Sequence, residues 1–439
     1  MKGFLGLGGI ALLGSLVGNL YLNSRHEIPA SMLNHESAVI PEIMSPAVGE
    51  QLMELLKEMS VFPSNVGDLN FYSTKHEHIG EAIPIGASGK CDHKYLVPSM
   101  NKTACVLPGR IDIGRHLMLY GGVEGLKEKY EKIISRVQSF GRYMFDLKEY
   151  PLIQNLFSSD QFQGAAKAVC PAGQQVLDPF QFNFIIQVPG QTVALHVDGV
   201  YFWGATRFQF PQWLLAVMRF SGLFEREFVH QVQVVGYVHQ WQDENGDRDG
   251  EFVYYSNSSR TGHRVAPKRW SGVAVDGSKT VHAAMVYQPG KYLPDIDKSA
   301  DNKLVYSKSS DEWKLMSNGK VLHTYSTDDL RISIVYRGRC FKNEEEMKKY
   351  SEFLASVDGS PEVAPMELET VLNTLKNDLV QKGRLSDKKL ASLSRLDLAL
   401  TLMDNYLTYP LPEESALPWN YCMLPRLVPQ LTPIFDLIC

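Results

Sequence analysis

The sequence predicts an α+β chain, a core of short β-strands supported by helical segments on both sides. Three observations lead there. From about residue 180 to 342, short β-branched and aromatic runs follow one another: FQFNFIIQVPG, QTVALHVD, HQVQVVGYVHQW, GEFVYYS, WSGVAVDG, TVHAAMVY and LRISIVYRGRCF among them. Gly, Asn, Asp and Pro break them at short intervals, and no helical pattern intervenes, which argues for a sandwich or barrel. Before and after this stretch, apolar residues recur at helical spacing. Composition agrees with a folded body: 439 residues, 44% hydrophobic and 21% charged, so a disordered chain, a collagen repeat, a coiled-coil rod and a multi-pass membrane protein are excluded. With 44 basic against 49 acidic side chains the net charge is −5, which leaves no overall nucleic-acid footprint.

Residues 1–25 stand apart. After Met1 and Lys2, residues 4–22 (FLGLGGIALLGSLVGNLYL) carry no charge. A basic start and an apolar run of roughly 20 residues is the pattern of a signal sequence or a single bilayer anchor. No small-x-small cleavage site follows, which favours the uncleaved anchor and places the chain in the secretory pathway or an organelle. A buried Gly-rich helix is the other reading. Two sequons, Asn101-Lys102-Thr103 and Asn257-Ser258-Ser259, agree with secretion. The six cysteines, at 91, 105, 170, 340, 422 and 439, show no C-x-x-C spacing, and Cys91 and Cys105 are close enough in sequence to pair in an oxidising compartment.

Residues 26–115 read as irregular, with many Gly and Pro. Residues 116–342 open with a helical pattern over 125–147 and another over 158–169, whose Ser-Ser-Asp start is an N-cap signal. Residues 343–439 form a helical extension. EEEMKKYSEFLASV ends before Asp358-Gly359, MELETVLNTLKNDLVQK runs to Gly383 as a C′ residue, and Ser386 caps a further helix through Leu407. The Pro-rich, apolar last 30 residues read as a wrap over the body or a dimer contact.

His196-Val197-Asp198 carries the chemistry. On a strand, residues i and i+2 share a face, so an imidazole and a carboxylate converge. A histidine from a later strand completes the two-histidine, one-carboxylate set typical of non-haem Fe(II) oxygenases. His282, at the start of TVHAAMVY, fills that place, and His323 competes with it. Arg331 and Ser333 in LRISIVYRGRCF again share a face. A guanidinium with a neighbouring hydroxyl binds a carboxylate at several points.

The ordered set of HVD, GEF (250–252), VAVDG, VHA and RIS resembles the Fe(II)/2-oxoglutarate-dependent dioxygenases over roughly residues 180–342. The resemblance implies a double-stranded β-helix, or jelly roll. It implies iron on His196, Asp198 and His282, with 2-oxoglutarate and O2 as co-substrates. Arg331 and Ser333 would then hold the distal carboxylate of 2-oxoglutarate. His282 lies 49 residues before Arg331, farther than in many members, and His323 only eight, so the segment between is an insertion if His282 is the ligand. The aromatic segment after HVD supplies Tyr201, Trp203 and Arg207 as substrate-pocket candidates. The implied activity is oxidation of an unactivated C–H bond, by hydroxylation, desaturation or ring closure. An amino-acid-derived small molecule is the first substrate class. A protein side chain in the secretory pathway and a non-catalytic cupin-like binding module are the alternatives. His230 and His239 read as core or surface residues, and the acidic run 243–251 as a solvated turn.

Overall fold

The computed structural model describes residues 26–64, 83–86, 91, 95–99, 103–241, 249–298, 300–356, 359–413, 415 and 417–439. The apolar run 4–22, the Asn101 sequon, His93 and most of the acidic turn lie outside the described residues. Among the described residues no helix is long and apolar enough to cross a membrane.

The strands used below are, in chain order, β1 (Ser37–Ile40), β2 (Val61–Pro63), β3 (Phe140–Met144), β4 (Val176–Gln187), β5 (Val193–His196), β6 (Gln231–Tyr237) and β7 (Phe252–Tyr255). They continue with β8 (His263–Val265), β9 (Gly272–Asp276), β10 (Val281–Ala284), β11 (Asn302–Ser307), β12 (Glu312–Ser317), β13 (Lys320–Tyr325) and β14 (Arg331–Phe341). One antiparallel sheet has the order β1-β9-β6-β14-β4-β3, and a second has the order β8-β7-β10-β5. A third, β13-β12-β11-β2, is built from the stretch between β10 and β14 together with β2.

The first two sheets face each other. Val235, Tyr237, Val273, Val275 and Val335 of the larger sheet pack against Phe252 and Tyr254 of the smaller. Alternation along each strand then sorts the outer residues. Phe182, Phe184, Ile186, Ile332 and Ile334 point the other way, onto helices α1 (Pro46–Met59), α4 (Pro151–Phe157) and α5 (Asp160–Val169). The outer face of the smaller sheet, with Leu195, Val253 and Val281, lies on α6 (Gln212–Ser221), α8 (Leu368–Gln381) and α10 (Arg395–Tyr406). The C-terminal extension therefore covers the core directly.

Four expectations change. The run of strands over 180–342 is interrupted by α6, a buried helix that lies between β5 and β6 in the chain. The segment 125–147 is helical only over α3 (Tyr130–Arg136), and Phe140–Met144 instead pairs antiparallel with β4. Sheet hydrogen bonding outweighs a local pattern that Gly141 already weakens. The segment 26–115 is less irregular than its composition implies. It supplies an edge strand of the larger sheet, the helix α2 (Ile111–Tyr120), and α1, which Ser45 caps by accepting from Val48 N–H with Pro46 at the first turn. The helix expected after Ser386 is two: α9 (Asp387–Ala391) stops, and Ser394 starts α10 by accepting from Asp397 N–H. The helix α7 (Glu344–Ala355) forms as expected and is capped by Asn343. All six cysteines pair, Cys91 with Cys105, Cys170 with Cys340 and Cys422 with Cys439.

Candidate metal centre

His196 ends β5 and pairs directly with His282 on β10, so their rings lie 4.2 Å apart. Asp198 follows two residues later on the same side. One donor atom from each residue lies within 4.8 Å of the others, the one such group of His, Cys, Asp and Glu among the described residues. The histidines are prepared alike. Nδ1 of His196 sits 2.8 Å from the carbonyl of Ala194, and Nδ1 of His282 2.8 Å from that of Thr280. A carbonyl only accepts, so Nδ1 carries the proton and Nε2 keeps its lone pair for the cluster, as in metal-binding histidines. Burial, and after it the neighbouring His196, pushes the His282 pKa down to about 3, so the ring is neutral at physiological pH.

Asp198 is buried, which by itself raises its pKa, but Arg337 beside it, aided by His196 and His282, holds it well below the usual carboxylate range. The donor set of two neutral imidazoles and one carboxylate fits a divalent first-row metal and leaves positions open. The turn at Asp276-Gly277 is shaped to the carboxylate. A Cβ at Gly277 would stand 2.2 Å from Asp198 Oδ2. Across the sheet, Gln233 Nε2 lies 3.1 Å from His282 Nε2.

Arg331 opens β14 on the same inward face as Ser333 and Arg337. Nε donates to the carbonyl of Gly250 at 3.0 Å, Nη1 donates to Gln187 Oε1 at 2.6 Å, and the guanidinium lies over the Tyr237 ring. It is 2% exposed and has no carboxylate partner among the described residues. A buried guanidinium without a counter-charge is costly unless an anion joins it. Gly250, at φ +73°, gives it room: a Cβ there would press on Arg331 Cδ at 3.1 Å. Ser333 Oγ donates to the Ile185 carbonyl at 3.4 Å. The apolar layer of Val235, Phe252, Tyr254 and Val335 occupies the interior between the sheets.

The other candidates sit elsewhere. Tyr201 and Trp203 join the cluster of Val229, Phe341, Tyr350 and Phe353 under α7, with Trp203 against Tyr350 at 4.9 Å, and Arg207 lies over Phe208. His323 belongs to β13 in the third sheet, its ring against Tyr292 and Tyr325. His230 is paired with Asp276 at 2.5 Å, and buried His239 stacks on Trp241. A surface cleft of about 720 Å3 edged by Glu50, Glu54, Glu58 and Arg269 shares no residue with the centre. Sequence reasoning passed over Arg337 and Gly277 as parts of the centre. The alternation that joins Arg331 to Ser333 also reaches Arg337, six residues on, and was the available signal.

No protein-family model matches the chain, and no curated protein does. Among solved structures it is similar to a Pseudomonas putida prolyl-4-hydroxylase, with 10% identity, 70% of this chain and 94% of that one covered, and a TM-score of 0.29. It is similar to HygX from Streptomyces hygroscopicus, solved with nickel and 2-oxoglutarate bound, with 8% identity, 70% and 82% covered, and a TM-score of 0.29. A third similar structure is the non-haem α-ketoglutarate-dependent carbocyclase SnoK from nogalamycin biosynthesis, with 9% identity, 76% and 90% covered, and a TM-score of 0.32.

Proposed function

We propose that the chain is an Fe(II)- and 2-oxoglutarate-dependent dioxygenase. The observation that carries this is the pairing of two sites on one interior. Two histidines whose Nε2 atoms face the cluster and one carboxylate converge at one of them, and the buried Arg331, without a carboxylate partner among the described residues, sits at the other. We read the facing sheets as a double-stranded β-helix: β4, β5, β6, β7, β8, β9, β10 and β14 supply four neighbouring strands to each sheet in a jelly-roll order. The long stretch between β10 and β14 is then an insertion that builds the third sheet.

His196, Asp198 and His282 hold the iron, and Arg331 with Ser333 receives the far carboxylate of 2-oxoglutarate. Bound there, iron supplies O2 activation coupled to oxidative decarboxylation of 2-oxoglutarate and oxidation of a substrate C–H bond. The chain's own side chains set the conditions. The carbonyls of Ala194 and Thr280 fix the tautomers of His196 and His282. Arg337 keeps Asp198 anionic and oriented. The apolar layer keeps water from the interior. A non-catalytic binding module has no need of a buried guanidinium that lacks a carboxylate partner among the described residues on the same strand face.

The first substrate reading is an amino-acid-derived small molecule, supported by the enclosure of the centre: the His196 side chain is 14% exposed and Asp198 4%. The second is a peptide side chain in the secretory pathway. The three disulfides favour that location, since such bonds persist in oxidising compartments, and Asn257 of the second sequon is exposed. Residues 4–22 anchor the body to the membrane in this reading.

The test is anaerobic addition of Fe(II) and 2-oxoglutarate, followed by O2. A weak visible charge-transfer band and then succinate are expected. A protein with bound metal and neither signal would not be an oxygenase of this kind.

A further inference from the structure

Arg110 stands behind the ligand strand. Its Nε donates to Asp112 Oδ1 at 3.1 Å and its Nη2 to Oδ2 at 3.0 Å. Nη2 also donates to the carbonyl of Val197 at 3.0 Å. Tyr409, from the C-terminal extension, donates its hydroxyl to Asp112 Oδ2 at 2.9 Å. The Asp112 side chain is fully enclosed, and Tyr409 is 1% exposed. The Val197 carbonyl and the Asp198 N–H belong to one peptide group. That N–H donates to the carbonyl of Gly277 at 2.8 Å. Both polar atoms of the peptide between Val197 and Asp198 are therefore held, one by Arg110 and one by the Asp276-Gly277 turn.

We propose that Arg110, Asp112 and Tyr409 form a positioning relay that fixes the Val197–Asp198 peptide, and with it Asp198, in the metal-binding orientation, which makes the C-terminal extension part of the metal centre. The inference rests on the metal reading of His196, Asp198 and His282. The chemistry is specific. Asp112 holds the guanidinium at two points, which aims the remaining N–H of Nη2 at a single carbonyl. A lysine keeps the charge opposite Asp112 but cannot make the fork and reach Val197 together. Tyr409 adds a second donor to Oδ2, beside Arg110 Nη2, and so braces the carboxylate against rotation. Partners of this kind behind a ligand set metal affinity although they never touch the metal.

The test uses Co(II) as the metal probe on the full chain, read by its visible absorption and by titration, beside thermal melting of the metal-free protein. Arg110→Lys is expected to weaken Co(II) binding about tenfold and to change the shape of the Co(II) spectrum. Tyr409→Phe, which keeps the ring, is expected to weaken it several-fold in the same direction. Tyr406→Phe is the control. Its hydroxyl also meets a carboxylate of the extension, Asp378, at 2.6 Å, but among the described residues no hydrogen bond links it to Val197. It is expected to lower the melting temperature and leave Co(II) binding unchanged. If Arg110→Lys does not fold, Tyr409→Phe against Tyr406→Phe decides. Wild-type Co(II) affinity and spectrum in Tyr409→Phe, with melting lowered as in Tyr406→Phe, would reduce the relay to packing. A wild-type chain that takes up no Co(II), or one whose uptake survives His282→Ala, overturns the metal reading and the relay with it.

Discussion

Arg337 and Asp198 are joined at two points across the interior: Nε donates to Oδ2 at 3.0 Å and Nη2 to Oδ1 at 2.7 Å. The pair is enclosed, at 14% and 4% side-chain exposure, so neither partner is replaced by water when the other is lost. Asp198→Ala is expected to destabilise the metal-free protein by about 3–5 kcal/mol, the cost of an unpaired buried charge. Adding Arg337→Met is expected to restore most of that stability but no metal binding. Denaturant titration of the single and double variants checks it. A stable Asp198→Ala protein would mean that Arg337 finds another anion.

Gly277→Ala tests how closely the turn fits the carboxylate. The added methyl would meet Asp198 Oδ2 at 2.2 Å, and Arg337 prevents the carboxylate from swinging away. Metal affinity is expected to fall about tenfold or more with little change in circular dichroism. Nickel titration gives the answer, and unchanged affinity would show that the turn yields.

Arg331→Lys keeps a charge but not the planar fork. Hydrogen bonds to charged groups contribute about 1.5–3 kcal/mol, so the 2-oxoglutarate requirement is expected to rise roughly ten- to a hundredfold. Saturation kinetics of succinate release measure it. An unchanged requirement would move the carboxylate anchor away from Arg331.

His282→Ala is expected to abolish metal uptake and succinate formation. His323→Ala is expected to keep both, because His323 lies on β13 among Tyr292 and Tyr325. Metal content of the two purified variants separates them, and the reverse outcome would transfer the third ligand to the outer sheet.

His116 sets an acid sensitivity distinct from the centre. Burial, and then the nearby His26, pushes its pKa down to about 3, although the carbonyl of Pro410 opposes this. The unfolded chain then binds a proton that the folded one refuses. The stability linked to this group is complete above its ordinary value of about 6.5 and falls as the pH drops toward about 3, by at most about 1.4 kcal/mol per pH unit. His116→Phe, which keeps a ring against Tyr120 and Tyr409, is expected to flatten that slope by one proton. Urea midpoints across this pH range measure it, and an unchanged slope would mean that His116 is protonated in the folded protein.

The core strands were legible because their two faces differ. Along β14, Ile332, Ile334 and Tyr336 alternate with Arg331, Ser333 and Arg337, and the period alone sorts helix-facing from interior residues. His196 and Asp198 were legible for the same reason. What stayed hidden depends on distant partners. Phe140–Met144 reads as helix until β4 offers it an edge. Arg110 and Tyr409 show no local pattern, since their meaning comes from a carbonyl in one segment and a carboxylate in another. Aromatic residues line cores and pockets alike, so the run after Asp198 gave no sign of its distant neighbours. α7 supplies Tyr350 and Phe353 to bury Tyr201 and Trp203, and that helix begins more than a hundred residues later.

The bridge between Cys170 and Cys340 joins the chain where it enters β4 to the end of β14, with Cα atoms 5.9 Å apart. His196, Asp198, His282, Arg331 and Arg337 all lie inside that closed loop. Along the covalent chain, a pull on the two ends therefore crosses from residue 170 to residue 340 through one sulfur–sulfur bond and does not straighten the loop that carries the ligands. The covalent ring keeps the ligand-bearing segment closed under such a pull, and reduction of that single bond opens it.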